Sequence, residues 1–118
     1  MVGIVNSIIT ADGDYIADLS GYESNSWNDG SAILLRGQNG YADGSELTLT
    51  IDDKTEISST AGNGIRVYVH KDNTETSHGV DSITVDYYSN MIISGQDVLK
   101  VENPTGSFTT VTPTDLAQ

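Results

Sequence analysis

The feature that most constrains the fold is a repeated order of strand, corner and strand. Residues 47–69 read LTLTIDDKTEISSTAGNGIRVYV, and residues 83–101 read ITVDYYSNMIISGQDVLKV. Each segment contains a β-branched run, a short polar corner, a second run, a glycine-containing corner and a third run. Residues 7–19 repeat the last two parts of this unit, and residues 28–35 repeat its last corner and strand. Repeats of this length are the usual sign of stacked units.

The phase of the repeat predicts the architecture. Ile33, Ile65 and Val98 start the third strand of successive units, and we expect these three side chains to stack as an aliphatic ladder. Three short strands per unit, each with inward Ile, Val or Leu, predict an all-β chain: a right-handed parallel β-helix (a solenoid) of about three rungs. An antiparallel sandwich would also use turns such as Asn39-Gly40, but it would not keep a constant period.

Local patterns place the strands and corners. Strands are predicted at residues 4–10, 15–18, 31–35, 46–51, 55–58, 65–69, 82–88, 91–94, 97–101 and 107–111. No apolar residues recur at helical spacing over three turns. The polar segments 18–30, 36–46 and 69–81 are predicted to join the third strand of one rung to the first strand of the next, as long loops on one side. At the corner before Ile65, we expect Gly62, Asn63 or Gly64 to hold a positive φ.

Charge and composition exclude several partners. The chain has 17 Asp plus Glu against 5 Lys plus Arg, a net charge of −12. Such a field repels nucleic-acid phosphates and anionic lipid heads, so we expect no nucleic-acid partner. There is no cysteine, which excludes disulfides and thiolate metal sites. No apolar run is long enough to span a bilayer, so no membrane insertion by this segment is expected.

The same repeats resemble a known family. LTLTIDDKTEI, STAGNGIRVYV and SIITADGDYIADL are similar to coils of the right-handed β-helical passenger domains of Gram-negative autotransporter adhesins. The resemblance covers most of residues 7–101 and implies an extracellular location at the bacterial cell surface, with roles in adhesion or self-association. Because such passengers carry many more coils, residues 1–118 are expected to be a single β-solenoid module, a fragment of a longer surface protein.

Three loop aromatics are the candidate binding residues. Tyr22, Trp27 and Tyr41 lie in the predicted loops 18–30 and 36–46, where a flat apolar ring suits stacking on a sugar or contact with a protein. The alternative is that they fold back and cap a core with few rings. We expect a non-enzymatic binding module without cofactors, whose partner is a host or bacterial surface protein or a neutral glycan. The alternative function is self-association through open solenoid ends.

The sequence also offers residues for a calcium site and for a catalytic strip of carboxylates. Asp12, Asp14 and Asp18 suggest calcium, but their spacing does not match an EF-hand, and an acidic turn explains them as well. The carboxylates of Asp52, Asp53, Glu56 and Asp86 could stack into an acidic strip of the kind used by β-helical carbohydrate-active enzymes. The only arginines, Arg36 and Arg66, are placed singly, and His70 and His78 match no standard zinc spacing. No catalytic residue and no metal site is therefore predicted.

Overall fold

A computed structural model describes residues 1–12, 30–37, 45–70 and 79–117. These residues form an all-β structure with one short 3-10 turn at Ser89–Met91. The ten strands within these ranges are β1 (Val2–Ile4), β2 (Ile8–Ala11), β3 (Ile33–Gly37), β4 (Ser45–Ile51), β5 (Glu56–Ser59), β6 (Ile65–Val69), β7 (Val80–Tyr87), β8 (Ile92–Ser94), β9 (Leu99–Glu102) and β10 (Thr110–Asp115). The all-β prediction is confirmed.

The strands form three parallel sheets. The first sheet has the order β1-β4-β7-β10, the second β2-β5-β8 and the third β3-β6-β9. Every pairing is parallel, and each strand pairs with the strand three places further along the chain. The chain therefore visits the first, second and third sheets in the same order three times, and β10 begins a fourth visit.

Aliphatic side chains from alternate strand positions form the core. The second sheet contributes Ile57, which is 2% exposed, and the third sheet contributes Ile65 and Val67, which are fully buried. The first sheet contributes Leu49, Ile83 and Val85. The third sheet packs on the first through β3 and β7, because a Cβ placed on Gly37 would lie 3.3 Å from Ile83 Cδ1.

The predicted aliphatic ladder is correct in its first step and wrong in its second. Ile33 pairs with Ile65, but Ile65 pairs with Leu99 rather than with Val98. Val98 takes the register position of Gly64, just before the strand begins. The last corner position is a glycine in the second unit and the apolar Val98 in the third, so the first apolar residue after the third unit's corner is not the first residue of the strand.

The predicted strand over residues 4–10 is broken into β1 and β2. Asn6 has a φ of 46°, the only positive φ at a non-glycine residue in the described ranges. Its backbone N–H donates to both carboxylate oxygens of Asp52, at 3.2 Å and 3.1 Å. A corner is therefore fixed here by a side chain from the neighbouring repeat, which local sequence does not reveal.

The long connections lie at two different places in the repeat, either between a third and a first strand or between a second and a third strand. Residues 38–44 join β3 to β4 and residues 71–78 join β6 to β7, as predicted for loops between third and first strands. Residues 13–29 instead lie between β2 and β3. The prediction that 18–30 and 36–46 leave equivalent positions of adjacent rungs is therefore wrong.

The last strand has an asymmetric edge. Leu116 N–H donates to the Tyr87 carbonyl at 2.7 Å, so the even-numbered residues of β10 direct their backbone groups towards β7. Pro113 and the other odd-numbered residues direct theirs away from β7. Because proline has no N–H, the outer edge of β10 lacks a donor at its centre.

Candidate functional site

The corner between β5 and β6 is built by buried polar side chains. Asn63 is fully buried, its Nδ2 donates to Ser31 Oγ at 3.3 Å, and its Oδ1 accepts from the Asp97 N–H at 3.1 Å. Ser59 Oγ accepts from the Gly62 N–H at 2.9 Å and donates to the Gly30 carbonyl at 2.7 Å. Residues 31, 63 and 97 hold equivalent places in three successive repeats, so Asn63 links all three units.

The predicted positive φ at this corner is wrong. Among the described glycines only Gly30 and Gly106 have a positive φ, and neither Gly62, Asn63 nor Gly64 does. Gly64 is needed for a different reason, which is space. A Cβ on Gly64 would lie 2.3 Å from Ile92 Cγ2 and 2.8 Å from the Val98 carbonyl oxygen. The next repeat approaches so closely here that no side chain fits.

Asp52 organises the corner between β4 and β5. Besides the Asn6 N–H, it accepts from the Thr55 hydroxyl at 2.7 Å and from the Lys54 N–H at 3.2 Å. The Thr55 hydrogen bond, followed by those from the Asn6 and Lys54 N–H groups and by the Lys54 charge, lowers the pKa of Asp52 below its ordinary value of 3.8, against an opposing desolvation effect. At neutral pH the carboxylate is therefore ionised, and it joins two successive repeats, which is a structural role.

The proposed strip of carboxylates is not formed. Asp86 pairs with Thr50 and lies on the outer face of the first sheet. Glu56 pairs with Ile8 and lies on the outer face of the second sheet. Because Asp52 turns into the corner between these sheets, the acids predicted to line one groove face three directions.

The calcium hypothesis is only partly within the described residues. The Asp12 carboxylate accepts a hydrogen bond from the Thr60 hydroxyl at 3.1 Å. Asp14 and Asp18 lie outside the described residues, as does His78. Within the described ranges, no group of three or more His, Asp or Glu side chains could hold a metal ion.

The outer face of the third sheet gathers most of the chain's cations, which sequence reasoning missed. Arg66 Nε donates to Glu102 Oε2 at 2.7 Å, and Lys100 Nζ lies 3.5 Å from Glu102 Oε1. Arg36 shares this face, because it pairs with Tyr68, which pairs with Glu102. Three of the five Lys and Arg residues of a strongly acidic chain therefore face the same way.

Two aromatic rings lie beside these cations. The Arg66 guanidinium carbon lies 5.0 Å from the centre of the Tyr68 ring, within cation–π distance. The Tyr68 and His70 rings meet edge to face with centres 4.9 Å apart. The Arg66 side chain is only 5% exposed. The alternation of Arg66 and Tyr68 with the core residues of β6 was the available signal, but grouping them with Lys100 and Glu102 needed the register.

The three predicted binding aromatics lie outside the described residues, but the ends of their segments are described. The segment with Tyr22 and Trp27 rejoins the fold at Gly30, just before β3. The segment with Tyr41 leaves at Gly37, the last residue of β3. The two segments therefore meet the fold at opposite ends of a single strand of the third sheet.

Comparisons with known proteins gave no relative. No protein-family model, no curated protein sequence and no solved structure matches the chain. None of the helical structure in the described ranges has the length and apolar character needed to cross a bilayer.

Proposed function

We propose that the chain is a right-handed parallel β-helix of about three rungs that serves as a non-enzymatic binding module of an extracellular bacterial surface protein. The chain passes through the three parallel sheets three times in the same order, and this order supports the solenoid. Crossovers between parallel strands are right-handed in nearly all known cases, which supports the hand. The resemblance of the repeats to autotransporter passenger coils supports the location at the cell surface.

The observation that carries the binding role is the attachment of two polar segments to the two ends of β3. Five residues of strand span about 16 Å. Trp27 lies three residues before Gly30 and Tyr41 lies four residues after Gly37, so each reaches at most about 10–14 Å from its anchor. Rings on both segments can therefore contact one ligand laid along the third sheet. Loops held by a rigid scaffold are the usual place for binding residues.

The composition of the segments selects the partner. Glu23, Asp29 and Asp43 accompany the aromatics, and the whole chain carries a charge of −12. Acidic neighbours oppose binding of sulfated or phosphorylated glycans. Stacking on a neutral sugar, or contact with a basic protein surface, is the chemistry that Tyr22, Trp27 and Tyr41 favour.

The test compares three purified proteins for binding to neutral glycans, sulfated glycans and matrix proteins. These are the wild type, a Trp27→Ala/Tyr41→Ala double variant and a Phe108→Ala control, in which an exposed ring outside both segments is removed. We expect the double variant to lose binding and the control to keep it. Equal binding by all three, or a preference for sulfated glycans, would contradict the proposal.

Self-association is a second candidate, because inward-facing residues in the end strands are exposed. Val2 pairs with Leu49 and is 47% exposed, and Val101 pairs with Val67 and is 40% exposed. Their buried partners show that these are core positions, which a second copy would cover. Sedimentation at increasing concentration tests this candidate. A Val101→Lys variant is expected to remain monomeric at concentrations where the wild type associates, and a wild type that stays monomeric throughout removes this candidate.

A further inference from the structure

Hydroxyl side chains dominate the outer face of the first sheet. On β4, β7 and β10 the odd-numbered residues Leu49, Ile83 and Val85 point inward, so the even-numbered residues face outward. The outward positions form three cross-strand rows, which are Glu46–Ser82–Thr110, Thr48–Thr84–Thr112 and Thr50–Asp86–Thr114. Seven of these nine positions carry Ser or Thr, and the central row consists of threonine alone.

The pairing turns these side chains into a regular two-dimensional array. Neighbouring strands lie about 4.8 Å apart, and alternate residues along a strand repeat at about 6.6 Å. The register is continuous from Glu46 to Thr50 and from Thr110 to Thr114. Threonine is branched at Cβ and has few rotamers in a strand, so its hydroxyl and methyl groups keep the spacing of the backbone.

The hydroxyl groups of this array are available to solvent. Within the described part of the chain, none of its six threonines forms a hydrogen bond or other polar contact through its side chain. Thr50 and the three β10 threonines are exposed, and Thr48 and Thr84 are half-buried. By contrast, Thr55 and Thr109 elsewhere in the fold are buried and donate to Asp52 and to the Val80 carbonyl.

We propose that this threonine array binds the surface of ice. A threonine offers one hydroxyl that anchors a water molecule and one methyl that limits where neighbouring waters can sit. An array of such pairs holds its anchored waters at the spacing of the strands, which is comparable with the oxygen repeats on the faces of hexagonal ice. An uncharged central row suits this ligand, because a charged group orders its own hydration shell instead.

One charged residue interrupts the threonine array. Asp86 lies in the row between Thr50 and Thr114, and its carboxylate interrupts the lattice of hydroxyl and methyl groups. Replacing Asp86 by threonine completes a second uncharged row. The ice proposal therefore predicts a gain of activity from one substitution, which a merely structural role of the threonines would not produce.

The experiment measures inhibition of ice recrystallisation and thermal hysteresis of the full chain. Four variants are compared with the wild type: Asp86→Thr, Thr84→Lys, Thr112→Lys and the control Ser58→Lys. Ser58 faces outward on the second sheet, where its hydroxyl donates a hydrogen bond to Thr10 Oγ1. The control therefore adds the same charge to a different face. Thermal unfolding followed by circular dichroism establishes that each variant is folded. Because Thr112 lies on an edge strand, Thr112→Lys tests the array if Thr84→Lys fails to fold.

The ice proposal requires a specific order of activity. Asp86→Thr should exceed the wild type, Ser58→Lys should equal it, and both lysine variants of the array should lose most of it. The proposal is overturned if the wild type and Asp86→Thr affect ice no more than an inert protein at the same concentration, or if Ser58→Lys weakens activity as much as Thr84→Lys. Binding to crystalline cellulose or chitin without an effect on ice would also overturn it and assign the array to a polysaccharide surface. None of these results depends on Trp27 or Tyr41.

Discussion

Adding a single methyl group at Gly64 tests whether space or backbone conformation makes glycine necessary at the corner before β6. The Cβ of Gly64→Ala would lie 2.3 Å from a methyl group of Ile92 and 2.8 Å from the Val98 carbonyl. Ile92 is 7% exposed and pairs with Ile57, and the Val98 carbonyl accepts the Ile65 N–H at 2.9 Å, so neither neighbour moves freely. Overpacking of a core costs about 1–3 kcal/mol, and two rigid neighbours place Gly64→Ala near 2–3 kcal/mol.

Two other glycines provide matched controls. Gly3 lies in β1 with no atom within 4 Å of the added Cβ, so Gly3→Ala should change stability by no more than about 0.5 kcal/mol. Gly106 also has open space but a φ of +85°, so Gly106→Ala should cost about 1 kcal/mol through backbone strain alone. The three substitutions add the same atom in a crowded site, an open site and a left-handed site.

Urea and thermal unfolding followed by circular dichroism measure the three effects. For a domain of this size, 2 kcal/mol lowers the Tm by roughly 5–10 °C. We expect the loss of stability to be largest for Gly64→Ala, smaller for Gly106→Ala and negligible for Gly3→Ala. If Gly64→Ala melts at the same temperature as Gly3→Ala, the close approach of the two repeats at this corner is wrong.

Three further substitutions probe the core, the buried corner and the acid response. Ile65→Asp places an unpaired charge in a fully buried position and should abolish the cooperative melt; a melt at the wild-type temperature would refute the core assignment. Asn63→Ala leaves the Asp97 N–H without its acceptor and should cost about 1–3 kcal/mol in urea unfolding, whereas an unchanged midpoint would show that Asn63 does not join the repeats. The pKa of Asp52 is lowered in the fold. Its carboxylate therefore contributes to the free energy of unfolding above the ordinary pKa of 3.8, and this contribution is lost as the pH falls through the pKa of the folded state. Asp52→Asn should therefore be less stable than the wild type at pH 7, with a difference that shrinks on acidification below 3.8, and a difference independent of pH would contradict this role.

Periodic patterns were sufficient to predict the class of fold. The apolar alternation at Ile65 and Val67 correctly gave β6, and the spacing of Ile33 and Ile65 gave the register of the third sheet in its first two strands. These features are local or repeat unchanged, so they are visible in one sequence. The partner of Ile65 in the third unit was missed because the last corner position is Gly64 in one unit and the apolar Val98 in the next, so counting from the first apolar residue selected Val98 instead of Leu99.

The site-level predictions failed where long-range contacts decide conformation. A glycine-rich corner was expected to turn by a positive φ, but buried hydrogen bonds of Ser59 and Asn63 shape it instead. The break at Asn6 depends on Asp52, a residue in the next repeat. The cluster of Arg66, Lys100 and Glu102 likewise requires the register between strands. No spacing rule in a single sequence encodes these three-dimensional neighbours.

The positions of β1 and β10 at opposite edges of the first sheet give the molecule a particular mechanical behaviour. Hydrogen bonds between parallel strands run across the strands, along the direction in which successive strands follow one another in each sheet. Tension applied between the two chain ends pulls along these bonds and loads one edge strand at a time, so the hydrogen bonds break one after another. β1 has three residues in its ladder and β10 has six, so β1 detaches first. Under a gradually rising pull, the chain would lengthen in successive small steps and would not give way all at once.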